Sequence, residues 1–268
     1  MSMRSSHAVY AAVMIGLGLL GLIYGNACLI WEQIPASLPG RPAVMFACAM
    51  VALGTGIGLL LRPALTLACR FLVAFLLLWL LLLKLPGLVL APQVMVRWES
   101  FAETAATLAG GWSLFAAYAG AWERRHLGFA VGERGIRVAR LLLIAALPMI
   151  GLSHFAYADL TASLVPKWLG FPVGWTYLTG AASVAAAAGM LFGIVPRLAA
   201  SLEAAMLWII TLFVWIPRVA TAPAAQENWA EFAISCAIAT GAWLVADTYR
   251  GVPWLASGGR ARAVSFDG

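Results

Sequence analysis

Eight stretches of the chain are almost wholly apolar, near 8–30, 42–61, 65–86, 101–121, 136–157, 173–193, 198–217 and 230–249. Each ends at charged residues or at a Pro/Gly-rich break. Runs of about 20 apolar residues match the hydrocarbon thickness of a bilayer, and lipid offers no water to pair with exposed backbone N–H and C=O groups. Only helices satisfy that backbone within a single run. The rest of the composition agrees: 63% of residues are hydrophobic, 10% are charged, and mean hydropathy is +0.92. Soluble domains carry about 25% charged residues. The sequence therefore predicts an all-α, polytopic membrane protein with eight transmembrane helices. Pro86 and Pro217 are expected to end the third and seventh of these, since proline cannot continue a regular helix without a local break.

The eight runs form two fours. Shifted by 131 residues, the chain superposes its own punctuation without a gap: Pro35 on Pro166, Gly58 on Gly189, Pro86 on Pro217, Pro92 on Pro223, Trp98 on Trp229, Gly110 on Gly241, Trp112 on Trp243 and Tyr118 on Tyr249. Matching Trp, Pro and Gly at one offset is far more informative than matching Leu and Ala in such a composition. The reading is a tandem duplication of a four-helix unit, 1–131 and 132–268, giving two tandem four-helix bundles. An even number of helices per unit makes the repeats parallel. Because the first run has a mate in mid-chain, it reads as a retained span and not as a cleavable leader.

Of the 17 lysines and arginines, twelve fall on the side of the chain termini; Arg41, Lys84, Arg97, Lys167 and Arg218 fall on the other. The positive-inside rule then places both termini in the cytoplasm, and the expected location is a bacterial inner membrane. The net charge of +6 is thereby explained by orientation, with no nucleic-acid partner. Four scattered cysteines (Cys28, Cys48, Cys69, Cys236) lack CxxC spacing and read as buried hydrophobes, with no metal site expected. Glycines four apart, at Gly21/Gly25, Gly54/Gly58 and Gly189/Gly193, suit close helix packing inside the bundle, or alternatively a homo-oligomer face.

His154 is the only histidine inside an apolar run, and intramembrane ionisable groups are costly unless they have a role. It reads equally as a hydrogen-bonded structural residue or as a proton-handling or ligand-binding group. Around it lie Tyr157, Asp159, Trp168, Trp175 and Tyr177, the candidate ligand-binding residues. A two-histidine haem is disfavoured, because His7 and His126 belong to the opposite side. Glu103, Glu203, Glu231 and Asp247 read as helix-end charges too shallow for an ion pathway.

The second unit resembles DoxX-like four-helix membrane proteins. The resemblance rests on His154-Phe155 ending a helix, on Pro166-Lys167-Trp168-Leu169 and Phe171-Pro172 in the following loop, on Tyr177-Leu178-Thr179-Gly180 opening the next helix, and on Gly189-Met190-Leu191 and Arg197. It covers 136–217 well and the eighth run weakly. The family often carries Glu three residues after that Gly, where this chain has Ser183; the first unit has Ile23-Tyr24 in place of His-Phe. The resemblance implies an integral membrane subunit of a redox-linked, quinone-associated system. Such a subunit would bind a quinone or similar lipid near its outward face, with His154 as the catalytic candidate and no covalently bound cofactor. It also implies membrane lipid and a redox or periplasmic protein as partners. The alternatives are a non-enzymatic scaffold or assembly factor docking an outer-face partner, and a small-molecule transporter, the last opposed by the lack of mid-membrane charge.

Overall fold

Residues 4–25 and 38–257 are described by the computed structural model of the chain. They form eight long helices: α1 (Ser5–Tyr24), α2 (Arg41–Leu60), α3 (Leu65–Leu90), α4 (Met95–Ala117), α5 (Gly132–Ala156), α6 (Pro172–Phe192), α7 (Pro196–Thr221) and α8 (Gln226–Asp247). All except α4 are long and apolar enough to cross a membrane. α4 carries Arg97, Glu99 and Glu103 and has 14 of its 23 residues buried. It packs against α3, α5 and α8, so protein surrounds it instead of lipid, and its surface need not be apolar.

Helix limits and turns recur at the offset of 131. α3 and α7 span equivalent residues at the offset of 131, and each contains a π-helical turn at the same place, Leu80–Lys84 and Thr211–Trp215. The α4 and α8 starts, Met95 and Gln226, are also equivalent. So are two indole bonds, from Trp98 Nε1 to the Pro92 carbonyl (2.7 Å) and from Trp229 Nε1 to the Pro223 carbonyl (2.9 Å). α4 and α8 cross where equivalent glycines touch: a Cβ on Gly110 would lie 2.6 Å from Gly241 Cα. Pairings between the units are reciprocal, α4 with α5 and α8 with α1. A pseudo-twofold axis therefore passes through the α4–α8 crossing, and the fourth helix of each unit lies between the halves.

Three expectations from sequence are corrected. α3 and α7 do not stop at Pro86 and Pro217 but run on to Leu90 and Thr221. The π-turn just before each proline opens the backbone where the ring would otherwise meet the carbonyl four residues back. Second, in two of the spaced glycine pairs one member is a helix cap: Gly25 (φ 63°) and Gly193 (φ 69°) are left-handed C-caps. Gly54 has nothing within 4 Å, whereas Gly18, Gly56, Gly151 and Gly180 make the close backbone approaches. Third, the loop read after His154-Phe155, which holds residues 166–169, is not irregular throughout. It folds into a short helix, Ala158–Leu164, and a 3₁₀ turn, Lys167–Leu169.

On the side of the termini the ends are tied by polar contacts. Ser6 Oγ donates to Asp247 (2.6 Å), and the Arg140 guanidinium stacks over Tyr249 (3.9 Å) and bonds Thr248. In the turn after α4, Arg70 pairs with the buried Glu123, which also accepts from the Gly120 amide (3.0 Å).

Candidate functional site

A cavity of about 1450 Å³ lies among α4, α5, α6, α7 and α8. Ala158–Leu164 and Lys167–Leu169 cover it through Leu160, Leu164 and Trp168. Toward the chain termini it narrows where α6 meets α7, a Cβ on Gly189 lying 3.1 Å from that of Ala199. Leu178, Leu202, Ile209 and Phe213 line the cavity and are also more than 40% exposed, so this flank opens sideways toward lipid. Only 22% of the most apolar part of α7 is buried, against 72% for α8, which separates a lipid-facing wall from a central one.

The opposite flank is polar. His154 Nδ1 lies 2.9 Å from Thr179 Oγ1. Thr179 Oγ1 is also within hydrogen-bond distance of the Trp175 and Thr176 carbonyls (2.9 and 3.2 Å), so the His154 ring is held against the first turns of α6. Ser153 Oγ donates to Glu99 (2.9 Å), joining α5 to α4. Glu99, Glu103 and Glu231 interact electrostatically with one another, and Lys84 with Glu103. Lys84 lies inside the third apolar run. It is 4% exposed, sits in the π-turn of α3, and donates to Ser100 Oγ (2.7 Å). Deeper still, Ser183 Oγ donates to Glu203 Oε1 (2.9 Å), and Glu203 is 2% exposed.

Depth along the helices follows from a rise of ~1.5 Å per residue. Glu99 and Glu231 sit ~6–8 Å inside α4 and α8, Glu103 ~12 Å, and Ser183 ~16 Å inside α6, close to mid-span. The reading of Glu103, Glu203 and Glu231 as helix-end charges is thus overturned: all three line the cavity wall. Asp247 does pair locally, with Arg250 at 2.8 Å.

Of the residues singled out in sequence, His154, Tyr157, Trp168 and Trp175 line the cavity. Tyr157 accepts from the Val96 amide (3.1 Å), tying the roof to α4, and Trp168 meets Phe213 edge-on (5.8 Å). Asp159 and Tyr177 do not line it: both are exposed, and Tyr177 stacks outside on Phe155 (5.5 Å). The residues missed are Glu99, Glu203 and Ser183 as partners in the wall. A signal for Glu203 exists, since Pro196, Ala200, Glu203 and Ala204 share one face of α7, buried, opposite Leu202 and Ile209. Among the described residues no three His, Cys, Asp or Glu side chains converge to hold a metal ion.

Residues 143–246 match a domain family of unknown function (DUF8561). That segment holds His154, Thr179, Ser183, Glu203 and Glu231, so it contains most of the cavity wall. Curated proteins and solved structures gave no match.

Proposed function

We propose that the protein is an integral membrane subunit that binds a quinone or a closely similar ring-headed lipid and serves a redox-linked system, with electrons supplied or taken by a partner protein. The cavity carries this reading. Ligand pockets for compact molecules occupy ~300–1000 Å³; a larger one, open sideways to lipid and polar on the far wall, suits a flat polar ring with a long apolar tail. Leu178, Ala182, Leu202 and Ile209 would take the tail, Trp168 and Trp175 would cover the ring, and His154 with the Ser183–Glu203 pair would meet its oxygens. The resemblance of 136–217 to DoxX-like proteins supports the same reading, with one change. Where that family often has a glutamate on α6, this chain has Ser183 bonded to a glutamate from α7.

Lipid extraction from the detergent-purified protein, followed by mass spectrometry, tests the proposal. Near-stoichiometric quinone is expected, and its loss in His154→Ala. Recovery of only bulk phospholipid from folded protein would overturn it. Transport of a small molecule is the second reading, and Glu203 favours it by placing a carboxylate near mid-span, where the sequence suggested none. Uptake into vesicles abolished by Glu203→Leu would establish transport.

A further inference from the structure

The cavity wall is acidic in a way that a neutral ring-headed lipid leaves unanswered, so its charge points beyond the function proposed above. Glu99, Glu103, Glu203 and Glu231 line it, and among the described residues no lysine or arginine does. Lys84 and Arg218, outside the lining, act electrostatically on Glu103 and Glu231 respectively. Glu99 and Glu203 have a serine each in place of a cation: Ser153 lies 2.9 Å from Glu99, and Ser183 lies 2.9 Å from Glu203. A hydroxyl carries no charge to set against a carboxylate. The second oxygen of Glu203 has no protein partner among the described residues, although the side chain is 2% exposed and lines the cavity. A carboxylate held away from water is costly unless a proton neutralises it or a cation meets it.

The kind of cation follows from the rest of the lining. Among the described residues no three His, Cys, Asp or Glu side chains converge, so a metal ion would lack a coordination shell. The flank formed by Leu178, Leu202, Ile209 and Phe213 is apolar and open to lipid, and it favours a molecule with a large apolar surface. Trp168 and Trp175 also line the cavity, and indole rings attract positive charge to their faces. We infer that the cavity binds lipophilic organic cations, with Glu203 and Glu99 as the countercharges. The apolar surface of such a molecule rests on the α6 and α7 flank while its charge meets the carboxylates. Where a proton neutralised a carboxylate beforehand, the arriving cation displaces it, and charge is conserved. A cation and a ring-headed lipid would use the same space in turn.

Tetraphenylphosphonium and tetraphenylborate have nearly the same shape and opposite charge, so together they isolate the effect of sign. The test is equilibrium dialysis of the purified protein against each ion, corrected for uptake by protein-free micelles. The phosphonium is expected to bind saturably, and ~10-fold or more tighter than the borate. Glu203→Gln and Glu99→Gln keep the side-chain shape and remove the charge. Each should weaken phosphonium binding several-fold and leave the borate unchanged, in variants whose size-exclusion profile matches the wild type. Equal binding of the two ions, tighter borate, no saturable binding, or phosphonium binding that neither variant alters would overturn the inference. Quinone content is read separately, by extraction, so protein that retains quinone but does not favour the phosphonium keeps the proposed function and loses this inference.

Discussion

The α4–α8 crossing offers a perturbation whose size can be worked out from the structure. Gly110→Ala would place a methyl carbon 2.6 Å from Gly241 Cα and 3.1 Å from Tyr10 Cε2. Carbon atoms rest at ~3.5–4.0 Å, so the shortfall against Gly241 is ~1 Å. The obstacle is main chain and cannot rotate away; the two central helices must separate. Overpacking of this kind costs ~1–3 kcal/mol. The greater helix propensity of alanine gives little back, because a membrane segment is already helical before it packs. Gly54→Ala is the control, with nothing within 4 Å of the added carbon, and should stay within ~0.5 kcal/mol. Titration of folded protein with sodium dodecyl sulfate in mixed micelles would measure both. The double variant Gly110→Ala/Gly241→Ala should cost less than the sum of the singles, since one separation accommodates both methyls. The crossing also sets the spacing of Glu99 and Glu103 on α4 from Glu231 on α8, so ligand occupancy should fall in Gly110→Ala. If Gly110→Ala proved as mild as Gly54→Ala, the close crossing, and with it the pseudo-twofold axis placed there, would be wrong.

Two other perturbations address charges. Lys84→Met removes a buried ammonium that acts electrostatically on Glu103 and donates to Ser100; losing a hydrogen bond from a charged group costs ~1.5–3 kcal/mol, and adding Glu103→Gln should restore part of the folded yield in a size-exclusion assay. Burial pushes the Glu123 carboxyl up, but Arg70 and the Gly120 amide more than offset this and hold it below the usual carboxylate range. A depressed folded-state value means the stabilisation is present above the ordinary carboxylate range and is lost as pH falls through the folded value. Thermal melts of the wild type should therefore drop more steeply on acidification than those of Glu123→Gln, and identical pH profiles would refute the pairing.

What the sequence made legible was the part set by solvent and by symmetry. Apolar run length gave the helices, and the offset of 131 anticipated matching helix limits, matching π-turns and matching indole bonds. The prolines misled because a π-turn, which leaves no mark in composition, lets a helix run through Pro86 and Pro217. Spaced glycines misled because one pattern serves two purposes, close packing at Gly21, Gly58 and Gly189 and C-capping at Gly25 and Gly193. His154 stood out as a lone polar residue in an apolar run. Glu99 and Glu203 did not, because each lies within ten residues of a helix start, where a charge is usually explained by the headgroups; only the tertiary pairing with Ser153 and Ser183 shows that they face inward.

The pseudo-symmetry also explains why one half holds the cavity's polar wall. Taken back by 131 residues, Ser153, His154, Thr179, Ser183 and Glu203 become Leu22, Ile23, Cys48, Ala52 and Leu72, all apolar, and Leu72 is fully buried. The first unit has apolar residues at the positions where the second keeps hydrogen-bonding groups. Yet it is not a bystander, since Glu99, Ser100 and Glu103 reach the cavity from its α4, and Lys84 supports Ser100 from its α3. Isolating the second unit would strip one wall and its cation from the site. The cavity is therefore lined from both halves of the chain, and Lys84 is the position at which that dependence is most exposed: it lies on α3, is buried, and acts on Glu103 in the wall.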